Sequence, residues 1–299
     1  MIRYILKRIL QAVPLLLVIS FIVFTLIHLA PYDAIDAQIT SNMSQEEINI
    51  LREQSGLNKP FLIQYVDWLG QILSGNFGHS LVTHNSVGEE ILAKIPNTIS
   101  LVLPAYVTAL VIAIVLGLLA AANKGKWQDK LIDAVASLGI ATPSFWIAMI
   151  FIYVLGYQLN LFPIIGMHTI GKEDDFGDFL SHFIMPYLTL TIVFFAELTR
   201  YVRSSALSQT NEEYVVVQQA FQATKTQIFT RHIIKNVLIP VITQVGMSLP
   251  MLVTGAIITE TVFSWPGIGP YITQATRALD YPIIMAVMLL SATLVIVGN

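Results

Sequence analysis

The chain has 299 residues, 55% hydrophobic and 12% charged, with a net charge of −3 and no cysteine. Soluble domains carry about 25% charged residues, so a soluble globule, a disordered chain and a nucleic-acid-binding protein are excluded. A mean hydropathy of +0.69 over the whole length points instead to an all-α polytopic membrane protein, and the missing cysteine removes disulfides, thiolate nucleophiles and cysteine-held metals.

A spanning helix needs about 20 apolar residues, and six stretches approach that length: Ile9 to Leu29, Ile99 to Ala121, Ile132 to Gly156, Phe183 to Leu198, Val237 to Val262 and Ile283 to Gly298. The first follows Arg3, Lys7 and Arg8, but it is too long for the core of a signal peptide and lacks a clean cleavage site, so a retained helix is expected. The fourth is short, and its polar end from Glu197 to Arg203 is expected to continue as helix into water. The sixth stops at Asn299, short of a full span, as if the chain continued. With a cytoplasmic N-terminus, 11 of the 16 Lys and Arg residues fall inside and 5 outside, and the bias of basic residues toward cytoplasmic loops then places both termini in the cytoplasm.

Two outer segments are long. Ala30 to Pro96 is too polar to span, contains apolar stretches such as Phe61 to Leu69 that suggest a small amphipathic cap, and carries Asp33, Asp36, Glu46, Glu47, Glu53, Asp67, Glu89 and Glu90 as a solvated acidic face. Tyr157 to His182, with Glu173, Asp174 and Asp175, reads as a loop. No internal repeat or low-complexity linker divides the chain, so residues 1–299 read as one membrane domain, with 30–96 extracytoplasmic and 200–236 cytoplasmic.

Reactive constellations are missing. There is no H-E-x-x-H, no G-x-S-x-G and no evident mid-helix acid or base; Glu197 and Glu260 are both expected near water. Gly166, Gly171 and Lys172 satisfy G-x-x-x-x-G-K, yet Glu173 stands where a Mg²⁺-binding Ser or Thr belongs, Asp174 and Asp175 repel anions, and no strand precedes it. Turns are the expected role of those glycines. The six histidines, His28, His79, His84, His168, His182 and His232, form no helical pair suited to zinc, and ordinary loop and interface roles are expected.

The most informative segment lies between the fourth and fifth spans, from Arg200 to Asn236. Val216, Ala220 and Ala223 fall at helical spacing with Phe221 beside them, predicting a short helix whose apolar stripe lies on the membrane surface, on its own bundle or in a partner's groove. Asn211 before Glu212 and Glu213 is the expected N-cap.

Here a resemblance becomes specific. Glu213-Tyr214-Val215, Ala220 and Arg231-His232-Ile233-Ile234-Lys235-Asn236-Val237-Leu238-Ile239-Pro240 resemble the cytoplasmic signature of binding-protein-dependent ABC importer permeases. Further matches resemble its dipeptide, oligopeptide and nickel branch along almost the whole chain: Leu6-Lys7-Arg8, Gly75-Asn76-Phe77-Gly78-His79-Ser80, Ile95-Pro96-Asn97-Thr98, Pro143-Ser144-Phe145-Trp146, Arg200 with Arg203-Ser204-Ser205, and Glu260-Thr261-Val262-Phe263-Ser264-Trp265-Pro266-Gly267-Ile268-Gly269. Two positions depart from the pattern: Gln222 stands where the family has Gly, and Gln218 where it often has Ala. Loss of a turn-permitting Gly predicts a more continuous loop helix or a docking geometry tuned to one ATPase.

The resemblance implies a permease subunit of the bacterial cytoplasmic membrane that supplies the path for cargo handed over by an extracytoplasmic binding protein. It implies a second, related permease as a heterodimer partner and two ATPase subunits that hold ATP and Mg²⁺, with no cofactor, metal or catalytic residue in this chain. Carried over by position, ATPase coupling falls to Glu213, Tyr214, Ala220, Phe221, Gln222, Thr224 and Arg231, and an outer gate to Glu260, Phe263 and Trp265. The Glu260 to Pro270 run packs a Trp, two Pro and two Gly into its last seven residues and reads as a re-entrant outer turn, with a membrane-interface role for Trp265 as the competing reading. Oligopeptides are the first-choice cargo, with dipeptides and nickel or metallophore complexes open. A self-powered secondary transporter and a membrane enzyme are the rival classes. Pro104, Pro143, Pro186, Pro240 and Pro250 are placed to kink spans.

Overall fold

The computed structural model describes residues 2–29, 39, 43–54, 58–251 and 256–298. Asp33, Asp36, part of the expected fifth span and Asn299 lie outside the described residues.

Helices carry the architecture. The first, α1 (Ile2–His28), is followed by α2 (Gln45–Gln54) and α3 (Phe61–Leu73). The expected amphipathic cap is α3, which sets Phe61, Tyr65 and Trp68 in edge and tilted ring contacts with Phe21 and Phe24 of α1; the Ser20 and Tyr65 hydroxyls share a hydrogen bond of 2.8 Å. The two longest helices, α4 (Val87–Ala122) and α7 (Phe176–Gln209), form the central pair. They run parallel, with Tyr106 against Phe194 (ring centroids 5.4 Å apart) and Gly117 against Val202. A methyl group at Gly117 would lie 2.7 Å from Val202 Cγ1, so glycine sets how closely these helices approach.

The expected third span is broken. Helix α5 (Trp127–Ala141) and the segment of α6 (Ser144–Phe151) with its π-helical extension Ile152–Gln158 meet at 95°. Pro143 causes the break: it drives Thr142 to extended backbone (ψ 119°) and cannot donate to the preceding turn. Apolar content alone hides such a corner, because the apolar run continues across it. Pro104, Pro186 and Pro240, in contrast, sit inside helices that continue through them. The expected loop from Tyr157 to His182 ends early, because Asp175 accepts from the Gly177 and Asp178 N–H groups and starts α7 at Phe176. Helix α7 does continue through Glu197 to Arg203 and beyond.

Beyond α7 come α8 (Glu213–Ala220), α9 (Lys225–Gln227), a π-helical stretch Ile228–Ile233 and α10 (Ile234–Met247). The last helices are α11 (Ile257–Val262), α12 (Ile268–Arg277) and α13 (Tyr281–Gly298). Across the expected fifth span, α10 ends at Met247 in a turn through Ser248, Leu249 and Pro250, Met251 is again helical, and α11 begins at Ile257. Among the described residues four helices are long and apolar enough to cross a membrane, or five if the bent α5–α6 pair counts as one span. The chain is therefore an all-α, multi-pass membrane protein.

At one end, residues 75–86 are clasped to the start of α13. The buried Asp280 accepts from Ser80 Oγ at 2.5 Å and from the Leu81 N–H at 3.2 Å. Val87 and Ile91 pack beside this clasp on Ile268, Ile283 and Val287.

Candidate functional site

Two regions carry the site residues singled out by sequence, and a third emerges only in the fold. The first is the elbow after α7. Asp129 of α5 accepts two hydrogen bonds from Arg203 of α7, at 2.6 and 3.0 Å, and a third from the Gly125 N–H at 2.8 Å. The Asp129 side chain is almost buried, so this bidentate pair fixes α5 to α7 just before the elbow. Helix α8 then has Glu212 and not Asn211 as its N-cap, and Glu212 makes no side-chain cap. Its inward residue is Val215, packed with Val202, Ala206, Ile228 and Ile233, while Tyr214 and Ala223 lie partly buried against the same cluster. Of the expected stripe, Val216 and Ala220 point outward and only Ala223 lies partly against the bundle, which counts against the own-bundle placement of the stripe alone. An eight-residue helix has too few turns for spacing alone to set its phase.

Phe221 ends α8 and is 79% exposed. Gln222 follows with φ +58°, in the left-handed region. The expected continuous helix is thus overturned: the chain turns here without glycine, at a cost of about 1–2 kcal/mol for a side chain in that region. A capping box restarts helix immediately, with Gln227 N–H donating to Thr224 Oγ1 (3.3 Å) and Thr224 N–H donating to Gln227 Oε1 (2.9 Å). Glu213, Ala220, Phe221, Gln222, Thr224 and Arg231 are all exposed, whereas Tyr214 is half-buried and donates its hydroxyl proton to Gln209 Oε1 at 3.1 Å. Behind the elbow lies a cavity of about 430 Å³ between α8 and the ends of α4 and α7, lined in part by Lys124, Leu207, Val215, Ala223 and Phe229.

The second region is the turn joining α11 to α12. Glu260 does not lie near water but is fully buried, as are Phe263 and Trp265. Glu260 Oε2 accepts from the Gly269 N–H at 2.8 Å, beside the Thr98 hydroxyl, which itself accepts from the Ile268 N–H at 2.9 Å. Glu260 Oε1 has no hydrogen-bond partner among the described residues. Trp265 Nε1 donates to Asn97 O at 2.7 Å, Asn97 Nδ2 donates to Pro266 O at 3.0 Å, and the Gly166 N–H donates to Phe263 O at 2.8 Å. The membrane-interface reading of Trp265 is excluded by this burial. Only 263–267 are turn, since Ile268, Gly269 and Pro270 open α12, where Pro is tolerated because a first-turn N–H has no helical acceptor. In this conformation the three residues brace the turn and do not line an open path. At Gly267 a Cβ would collide with Glu260 Oε2 and Thr98 Oγ1. Gly267→Ala is therefore expected to lower the thermal stability of the purified protein by several degrees, with insertion intact; an unchanged melting curve would mean the turn is not held by these contacts.

The third region escaped sequence reading. A cleft of about 430 Å³ lies between the middle of α4, the second half of α7, the end of α10 and Val295 of α13, and Tyr106, Glu197, Gln244 and Ser248 give it polar walls. These residues sit far apart in sequence, and no motif joins them. The G-x-x-x-x-G-K run stays in the irregular segment before α7, with Gly166 and Gly171 at φ +86° and +83° in turns. His168 and His182 flank Asp178, at 3.9 and 3.7 Å.

Comparison with known proteins bears on all three regions. A family model described as the binding-protein-dependent transport system inner membrane component matches residues 113–299, and the model for the N-terminal part of such components matches residues 1–102. The chain is 36% identical over 300 residues to the oligopeptide transport system permease protein AppB of Bacillus subtilis, covering 100% of this chain and 95% of the relative. It is 35% identical over 303 residues to the metal-staphylopine import system permease protein CntB of Staphylococcus aureus, covering 100% and 94%. The glutathione transport system permease protein GsiC of Salmonella typhimurium is 31% identical over 290 residues, covering 97% and 92%.

Proposed function

The chain belongs to the family of binding-protein-dependent transport system inner membrane components and is a translocation-pathway subunit of an ABC importer; from that premise we propose that its cargo is an oligopeptide and that the elbow at Phe221 takes the push of an ATPase. The subunit is not itself an enzyme, and family membership implies a paired permease, ATPase subunits and a binding protein around it. The peptide reading rests on the relatives named for oligopeptide and glutathione transport, while the relative named for metal-staphylopine import keeps a metallophore complex as the second cargo.

The observation that carries the coupling role is a large aromatic left exposed at a rigid corner. A Phe side chain 79% open to solvent contributes nothing to its own bundle, and burying it in a partner's groove is worth about 1.5–3 kcal/mol. Glu213, Ala220, Gln222, Thr224 and Arg231 would surround that contact, with Tyr214 anchoring α8 from behind. On this reading residues 200–236 are cytoplasmic, both termini face the cytoplasm, six spans cross the bacterial cytoplasmic membrane, and the partner permease is a related but different chain. Glu260, Phe263 and Trp265 would act as the brace of an outer gate that yields when the ATPases close.

The absence of cysteine makes the test clean. Gln222→Cys and Thr224→Cys, placed singly, are expected to crosslink to an ATPase subunit in assembled complexes and to resist impermeant thiol reagents added outside intact cells. Labelling from outside would overturn the topology, and failure to crosslink would overturn the docking site.

A further inference from the structure

Glu197 stands apart from every other acid in the membrane region. It is exposed, and no basic side chain among the described residues pairs with it. The contacts of Phe194 with Tyr106 and of Val202 with Gly117 bracket it at a level inside the apolar stretch of α4. At that depth an ionisable side chain must face a water-filled cavity or a partner and not lipid. What it faces within this chain is the cleft already described, alongside Tyr106, Gln244, Met247 and Ser248. A second observation points to an occupant. The Tyr106 hydroxyl, on a side chain that is 8% exposed, has no hydrogen-bond partner at normal geometry; the Ser248 hydroxyl beside it donates to Val245 O at 2.7 Å and keeps its oxygen free to accept. Arg200, one turn along α7, is exposed but does not line the cleft.

We propose that Glu197 is the charge-selecting residue of the translocation pathway, favouring cargo that presents a protonated amine or another cationic group, with Tyr106 and Gln244 supplying hydrogen bonds beside it. This rests on the permease reading and deepens it. A fixed carboxylate in a narrow, low-dielectric passage concentrates cations and excludes anions. At contact distance in water, one unit charge changes local concentration by about fivefold.

The test uses the complete importer, with its partner permease, ATPases and binding protein, in lipid vesicles. Met247→Cys, on the cleft wall and 56% exposed, is treated separately with a trimethylammonium and a sulfonate methanethiosulfonate of similar size, and labelling rates are read on this chain by intact mass. The cationic reagent is expected to react faster, with the rate ratio falling about fivefold or more in Glu197→Gln and returning in Glu197→Asp. An unchanged ratio in Glu197→Gln would overturn the proposal. So would failure of both reagents to label with and without ATP, which would mean a partner's side chain fills the cleft. Glu197→Ala repeats the measurement should Glu197→Gln assemble poorly. ATP-driven peptide uptake in the same vesicles reports on the peptide reading separately: its absence alongside a shifted ratio would remove the peptide assignment and leave the charge selection standing.

Discussion

Phe221→Asp is expected to abolish transport while leaving the chain inserted and folded. Because Phe221 is largely exposed, replacing it removes no packing inside this subunit, so the whole effect falls on whatever covers it. Loss of about 1.5–3 kcal/mol of burial weakens association with an ATPase roughly 10- to 100-fold, and forcing a carboxylate into an apolar groove adds a desolvation cost. Phe221→Leu keeps most of the apolar area and is expected to retain most activity. The measurements are co-purification of the ATPase and ATP-dependent uptake; wild-type values for both in the Asp variant would make Phe221 a bystander. A fall in membrane expression before any change in association would contradict the exposure found here.

Trp265→Ala is expected to have the opposite signature, striking the subunit itself. Trp265 is fully buried among Leu101, Val102, Leu190 and Phe194, with Phe179 and Phe183 at ring-centroid distances of 5.9 and 6.3 Å. Truncation to Ala leaves a cavity and costs about 3–5 kcal/mol. Trp265→Phe refills most of that space and loses mainly the 2.7 Å bond from Nε1 to Asn97 O, a net cost of about 0.5–1.5 kcal/mol. Thermal unfolding of the purified complex should therefore rank wild type above Phe and Phe well above Ala, with uptake lost in Ala and partly kept in Phe. Equal stability of all three proteins would mean that the tryptophan does not hold the turn.

Composition and motifs were enough for the class: apolar runs established a helical membrane protein, and the ordered signatures from Gly75 to Gly269 identified the family. The errors share one cause, because sequence reports what a segment is made of and not what lies beside it. Glu260 looked like an acid at a helix end near water, and only the fold brings Thr98, Gly267 and Gly269 around it. Pro143 is among the prolines expected to kink a span, and it does, but residue type alone does not separate a proline that breaks a helix from ones the helix runs through, as it does at Pro104 and Pro186. Gln222 was read through its residue type, which disfavours a left-handed backbone, yet the capping box at Thr224 and the inward pull of Val215 on the other side outweigh that local preference. The cleft around Glu197 could not be read at all, since its walls come from four helices with no shared motif.

The clasp between Ser80 and Asp280 also sets an order of assembly. Its two halves are 200 residues apart in sequence, so while the chain is being made, residues 75–86 are in place long before their acceptor exists. During that interval the Ser80 hydroxyl and the Leu81 N–H have water in place of Asp280, and Val87 and Ile91 lack the surface of Ile268 and Ile283 that later covers them. Contacts this distant are the slowest to close. The segment joining the first two long helices therefore reaches its final seat only after Asp280 and the α13 that follows it have been made, which leaves it open to proteases until then and protected afterwards.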